Sequence, residues 1–553
     1  MDGFHGLGHF AADGCGAVFR GEAPMTRPER RWCGAYSLAL VLATTLPVWI
    51  AFRHAGSEWG FSGFLFAVED GNSYIAKMQL GAAGAWLFRS PYTAMPQRGV
   101  IAFLPYLLLG KLAAPPETHL QLVLLFHLFR IAMIPVVVIA VYRLASIFLA
   151  TTGSRRWATI LGTAGGGLGW MLTFTGSGGW LGSLPLDFIS PESFGFLAML
   201  TLPHLILTRA LLLFALAAYL TSGMHAERSW TAGLLLALST LVQPLGTITA
   251  FAVVATHQIL LWLRSGRQFL LGWRARWLPV LWRLVVPSLP LLLYYIVSSI
   301  SDPYLQVWAA QNQLPSPHPL HYVLAYGLVL PFAALAAVRA WRTASTPELL
   351  LVGWVVILPI LAYFPYPVQR RLPEGVWVAL SILAITGLFD WLRDRSLMRW
   401  LRPGLVGFST LSSLALVIGS TGVASDPARP AFITHSDEQA FTWLGDHADP
   451  GSIVLASHGT SNALPAWTPV RVLIGLGPES AYHEQLEPQI EAFFNDGMST
   501  DERQSFLIRE RVKWIVMGPL EAKIGDWRPG IDTPVILRYS DADYRIYEVG
   551  GGK

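Results

Sequence analysis

The chain has 553 residues, 53% of them apolar and only 13% charged, and a formal net charge of +4. A soluble domain carries about twice that charged fraction, so the composition excludes a protein that is water-soluble over its whole length. Two cysteines, Cys15 and Cys33, stand near the N-terminus in no zinc or redox spacing, which excludes a disulfide framework.

Runs of about 18 or more apolar residues, each sufficient for a membrane span, recur through most of the chain. Residues 425–553 differ, with 19 acidic and 11 basic residues, whereas the preceding part is basic. The expected organisation is a cytoplasmic tail over 1–33, a polytopic α-helical membrane domain over 34–424 and a soluble, extracytoplasmic α/β domain over 425–553. Basic residues collect in cytoplasmic loops. The clusters "TRPERR" (26–31), "SRR" (154–156), 264–277, "RAWR" (339–342) and "RDRSLMRWLR" (393–402) all fall inside if spans lie near 34–52, 119–149, 157–174, 195–221, 278–298, 321–339, 348–365, 375–391 and 402–423. The stretch 231–263 must leave and re-enter on one side, as two short spans meeting at Pro244. The total is about eleven spans, and "QRR" (369–371) then falls outside, against the charge rule.

The first outer loop, 53–118, opens with "FAVEDGNSYIAKMQLG" (66–81) and contains the aromatics Trp59, Tyr74, Trp86 and Tyr92. Its stretch 99–113 is apolar but short, and reads as an interfacial or partly embedded helix. Asp70, an acid beside apolar helices, suits a general base on a hydroxyl; as a bland alternative it caps the helix that follows. Glu69 is a supporting or solvated neighbour.

The second outer loop, 175–194, adds Asp187, read as part of a helix start, and Glu192, left open between a helix start and a substrate contact. "GTAGGGLGW" (162–170) follows no strand and reads as close helix packing rather than a nucleotide loop. His204 and Arg209 fall inside the next span, where ionisable residues are functional by default, although Arg209 also suits neutralising a side chain within the bundle. Gln243 and Pro244 sit at a helix break of the kind that lines a cavity. Arg370 and Arg371 offer forked guanidinium groups to a lipid-linked phosphate, with snorkelling to the interface as the alternative.

In the last region "SIVLAS" (452–457), "RVLIGL" (471–476), "VKWIVM" (512–517) and "YRIYEV" (544–549) read as strands. Capping-box spacings at Ser436/Gln439 and Ser499/Glu502 announce two helices. His458 and His483 lie in no metal spacing.

A first outer loop bearing "VEDGNSYIAKM", then the short helix "LPYLLLGKLA", and later the broken "LALSTLVQPLGTITAFAV", resembles the GT-C glycosyltransferase superfamily over residues 34–424. That superfamily includes protein O-mannosyltransferases, aminoarabinose transferases and oligosaccharyltransferase catalytic subunits. The resemblance implies transfer of a sugar from a polyprenyl-phosphate donor on the outer face, with inversion, and an outer-loop aspartate as base, which maps by position onto Asp70. The family's Asp-Glu order is reversed here as Glu69-Asp70. The expected substrate cavity holds Tyr74, Glu192, His204 and Gln243, with Arg370 and Arg371 on the donor phosphate. No cofactor is expected and no metal site is assigned, although oligosaccharyltransferases hold a divalent ion with several acids, and Glu69, Asp70, Asp187 and Glu192 are the acids available. The expected partners are the lipid-linked donor, the bilayer and an acceptor protein, glycan or lipid; nucleic acid is not among them. The expected location is the cell inner or plasma membrane. The competing readings are a transporter or flippase of lipid-linked sugars, which needs no base, and a non-catalytic assembly protein.

Overall fold

The structure, a computed structural model, describes residues 24–222, 227–343, 345–391, 395–495, 497–529 and 535–550. Most of the expected tail, 1–23 with Cys15, lies outside them, as do 393–394 of one basic cluster.

The first helix, α1 (Arg27–His54), starts ahead of the expected span. Thr26 and Glu29 form a capping box there. The strand β1 (Trp59–Phe61) follows, then the short helices α2 (Val68–Ala82) and α3 (Leu104–Gly110). These two pack backbone to backbone. A Cβ on Gly81 would lie 2.1 Å from the Leu107 carbonyl oxygen, and one on Gly110 1.8 Å from that of Met78. The long α4 (Thr118–Phe148) leads into α5 (Thr152–Ala164) and α6 (Gly169–Phe174). The expected span 157–174 is therefore two helices. The glycine run breaks it because Gly166 N–H donates to the Ser409 carbonyl of another element at 2.7 Å.

Next come α7 (Leu186–Ile189), α8 (Gly195–Thr201), α9 (Pro203–Thr221), α10 (Glu227–Val242) and α11 (Pro244–Ser265). The break between α10 and α11 falls at Gln243, whose backbone is extended, as proline requires of its predecessor. Beyond lie α12 (Arg267–Arg276), α13 (Leu278–Val285), α14 (Leu289–Ser301), α15 (Pro303–Gln311), α16 (Pro319–Tyr326), α17 (Leu330–Thr343), α18 (Thr346–Ala362), α19 (Val376–Trp391), α20 (Arg395–Ser409) and α21 (Leu411–Ser425).

Among the described residues, five helical stretches are long and apolar enough to cross a membrane: Arg27–His54, Thr118–Phe148, Pro203–Thr221, Pro244–Ser265 and Arg399–Ser425. The pairs α13/α14 and α16/α17, bent by 48° and 84°, bring the number to seven if each is one span, and α18 and most of α19 are shorter apolar helices. The remaining expected spans are the broken α5/α6 and the 16-residue α10. The chain is a multi-pass α-helical membrane protein. Two pairs of its basic clusters meet. Glu29, at the start of α1, binds Arg155 of α5 at 2.8 Å and accepts from the Tyr142 hydroxyl near the end of α4. Likewise Arg264 donates to the carbonyls of Trp341 and Arg342. The far end of α1, about 40 Å away at 1.5 Å per residue, leads into β1 and the acid-bearing α2.

The last region holds β2 (Phe432–Thr434), α22 (His435–His447), β3 (Ile453–Leu455), α23 (His458–Trp467), β4 (Arg471–Val472), α24 (His483–Phe494), α25 (Thr500–Arg509), β5 (Trp514–Met517), α26 (Pro519–Ile524), β6 (Val535–Ser540) and β7 (Arg545–Val549). The sheet order is β4-β3-β5-β7-β6, with β3 parallel to β4 and β5 and with β7 antiparallel to β5 and β6. The four expected strands all fall in this sheet; β6 was not foreseen. The Ser499/Glu502 capping box is present. The other box sits two residues early, at Thr434/Asp437, because β2 pairs with β1 and delivers Thr434, not Ser436, to the helix start.

Candidate active site

Asp70 occupies the first turn of α2, but it does not cap it. The cap position is Ala67, in the left-handed region at φ 46°, and no side chain caps the helix. Glu69 and Asp70 are both exposed, and neither carboxylate has a hydrogen bond or ion pair among the described residues. Asp70 is open along one side and walled by protein on the others. That burial raises its carboxyl above the usual range; Arg371 and Lys77 oppose the rise, and Glu479 and Glu69 add to it.

Arg371 pairs with one acid and acts on another. Its Nε lies 3.6 Å from Oε1 of the buried Glu192, and it is the strongest opposing charge acting on Asp70. Burial raises the Glu192 carboxyl, and Arg371 is the main force against that. The neighbouring Arg370 has a buried Nε with no hydrogen-bond partner, and burial lowers its pKa. A short turn, Gln369–Arg371, carries both arginines. The loop after α15 holds it: Arg370 N–H donates to the Leu314 carbonyl at 3.3 Å, and Leu314 N–H donates to that of Pro367 at 2.7 Å. The region therefore combines an unpartnered carboxylate, a guanidinium paired with Glu192 and acting on Asp70, and a second guanidinium whose buried Nε has no hydrogen-bond partner.

The aromatic wall consists of Tyr74, stacked on Tyr106 at 4.7 Å, with His204 at 5.2 Å from Tyr74. The Tyr106 hydroxyl and His204 Nδ1 are 2.8 Å apart. Tyr74 also lies within the field of Asp70. The expected residues Glu69, Asp70, Tyr74, Glu192, His204, Arg370 and Arg371 thus meet in one region. Gln243 does not join them by any hydrogen bond; its Oε1 is buried without a partner at the α10/α11 break.

Two other ionisable residues are structural. Arg209 donates from Nε to Glu374 at 2.7 Å and from one terminal nitrogen to the carbonyls of Pro191 and Glu192. It neutralises a buried acid and fixes the backbone beneath the Glu192 side chain. Asp187 accepts from Gly169 N–H at 3.0 Å and from the Ser412 hydroxyl at 2.6 Å, so it closes the start of α6 rather than that of its own helix.

The donors available do not fit a metal centre built from several carboxylates. Asp187 is committed to Gly169 and Ser412, Glu192 to Arg371, and no group of three or more His, Cys, Asp or Glu is arranged to hold an ion among the described residues.

No protein-family model and no curated sequence matches the chain. Solved structures do. The archaeal oligosaccharyltransferase AglB from Archaeoglobus fulgidus, in complex with an inhibitory peptide and a dolichol-phosphate, is similar at 13% identity over 89% of this chain and 70% of that one, with a TM-score of 0.53. The apo form of the Archaeoglobus fulgidus oligosaccharyltransferase gives 0.51. The arabinofuranosyltransferase AftD from Mycobacteria gives 0.54 at 14% identity, over 96% of this chain and 40% of that one. The chain has a GT-C-like fold. In this fold the acid-bearing α2 is bounded on one side by the bundle and on the other by the sheet domain.

Residues of that sheet domain, and two of α2, escaped the sequence reading. Lys77, wholly buried, donates to Glu479 Oε1 at 2.8 Å and to the Ser73 hydroxyl at 3.0 Å. Asn72 donates to Asn462 Oδ1 at 2.8 Å. Lys77 lies two turns from Asp70, on the same helical face, and that spacing was the available signal. Nothing local marks Glu479 or Asn462.

Removing one member of a buried ion pair strands the other. Arg209→Met is expected to destabilise the protein by about 3–5 kcal/mol in chemical denaturation, and the double variant Arg209→Met/Glu374→Leu to recover most of that loss.

Proposed function

We propose that the chain is a membrane glycosyltransferase that moves a sugar from a polyprenyl-phosphate donor to an acceptor hydroxyl. The reading rests on one observation: the unpartnered carboxylate of Asp70 lies in the field of Arg371, whose neighbour Arg370 has an Nε without a hydrogen-bond partner. The GT-C-like fold supports it, and AglB is described in complex with a dolichol-phosphate.

The acceptor O–H loses its proton to Asp70 as its oxygen attacks the anomeric carbon. The bond from that carbon to the phosphate oxygen breaks, and the electron pair leaves on the polyprenyl phosphate. Attack opposite the leaving group inverts the centre. A phosphate leaving group already carries charge, so it needs cations and no general acid; Arg370 and Arg371 supply them. Tyr74 and His204, tilted to each other by 56°, provide ring surfaces for the sugar. Glu69 faces water beside the base. In this reading the site and the sheet domain lie outside the cytoplasm and the basic clusters inside it, as basic loops demand.

Asp70→Asn keeps the shape of the side chain but cannot accept a proton. It is expected to lower kcat about 10²–10⁴-fold with donor binding kept, in a transfer assay with radiolabelled polyprenyl-phosphate sugar, while Glu69→Gln costs far less. Normal turnover in both amides would sink the reading. The base works only when ionised, and burial raises its pKa. Activity should therefore fall, as pH drops, at a point above the ordinary carboxylate value of about 4.

In the same assay Arg371→Lys keeps the charge but loses the fork. Donor KM is expected to rise in it and to rise further in Arg371→Ala; unchanged donor kinetics in both would leave the arginine no role in holding phosphate.

A topology reporter fused at the C-terminus should be active only outside the cytoplasm and one fused after Arg395 only inside. The same side for both would overturn the sidedness.

A further inference from the structure

We infer that the sheet domain positions the acid-bearing helix, with Asn462 and Glu479 as positioning residues for Asp70; this rests on the reading of Asp70 as the base. The helix has no cap of its own: Ala67 supplies no side-chain hydrogen bond, and its backbone is in the left-handed region. What holds the first turn comes from another domain. Asn462 of α23 donates to the Glu69 carbonyl at 3.3 Å and accepts from Asn72 at 2.8 Å, so it grips the residues on either side of Asp70. Asn462 is itself locked. Its amide donates to the Gly475 carbonyl at 2.8 Å, and its carbonyl accepts from the Tyr92 hydroxyl at 3.0 Å.

The second grip lies two turns along. Glu479 accepts from Lys77 at 2.8 Å and, through its other oxygen, from the Ser90 hydroxyl at 3.2 Å. Its own carbonyl accepts from the Tyr304 hydroxyl at 3.1 Å. Lys77 sits 4.3 Å from the centre of the Phe103 ring and has no exposed surface. Two independent contacts, at Asn72 and at Lys77 five residues on and therefore on different sides of the helix at 3.6 residues per turn, fix both the rotation and the height of α2, and hence the direction of Asp70.

The pair also sets the field at the base. The ionisable groups around Asp70 are Glu69, Tyr74 and Lys77 on its own helix, Arg371 on the turn after α18, Glu479 on the sheet domain, and Tyr92 and Tyr106 on the loop and α3. Lys77 and Glu479 act on it with opposite signs.

The test uses the full-length protein and the radiolabelled donor, with Asp70→Asn measured alongside. Asn462→Ala is expected to lower kcat about tenfold or more with donor KM within about twofold, the pattern of a misplaced base. Glu479→Gln leaves Lys77 charged and should move the acid limb of the pH profile down; Lys77→Gln leaves Glu479 charged and should move it up, each by about half a pH unit at the roughly 10 Å of two helical turns. A purely structural contact moves the melting temperature but not the limbs in opposite directions. Where a single variant does not fold, Lys77→Met/Glu479→Leu removes both charges without stranding either, and it too should show lowered kcat at unchanged donor KM. Wild-type kcat and unmoved limbs in folded variants, with Asp70→Asn inactive, would overturn the inference and leave the base assignment standing. An active Asp70→Asn would remove the base assignment itself, and the inference with it.

Discussion

Lys77 and Glu479 form an ion pair closed to water, and the position of α2 depends on it. Burying two such charges costs several kcal/mol per ion unless the geometry is good and the remaining hydrogen-bonding capacity is met. Here it is met: Ser73, Ser90 and the Phe103 ring surround the pair. Charges satisfied only in one arrangement tolerate little sliding. The pair therefore locks a 15-residue helix, too short to cross a membrane, between the bundle and the sheet domain.

The anchoring extends beyond that pair. β1, in the first loop, pairs with β2 at the entry to the sheet domain. Arg471 donates to the carbonyls of Thr93 and Met95, and Val472 N–H donates to that of Pro91. His119, at the start of α4, stacks on Trp467 at 3.6 Å. The loop that carries Glu69 and Asp70 is thus folded against both domains along much of its length, which is how irregular chain at the edge of a membrane satisfies its polar groups. The carboxylates of Asp70 and Glu69, in contrast, have no partner among the described residues.

Charge in this region is divided between committed and available groups. Arg209 is spent on Glu374 and on the Pro191 and Glu192 carbonyls, and Asp187 on the start of α6. Arg371 pairs with Glu192 and acts on Asp70, and Arg370 keeps an unsatisfied Nε. An arginine that is not fully hydrogen-bonded retains donors for an anion. A carboxylate partly withdrawn from water binds its proton more tightly.

The sequence by itself determined the membrane class, the change of composition near residue 425 and the break at Gln243, since these follow from local hydropathy, charge count and proline chemistry. It also held the Ser499/Glu502 box, which involves only neighbours in the chain. Only the tertiary structure decided that Asp70 is no cap, that Asp187 serves α6, and that Thr434 replaces Ser436 at a helix start. Each of those outcomes turns on a partner far away in sequence: the glycine break that pairs with Ser409, or the strand β1 that draws β2 into place. Glu479 and Asn462 were invisible for the same reason. They lie some 390 or more residues from the helix they hold, and a contact across that separation leaves no periodicity or spacing in the chain; it exists only once two domains are packed together.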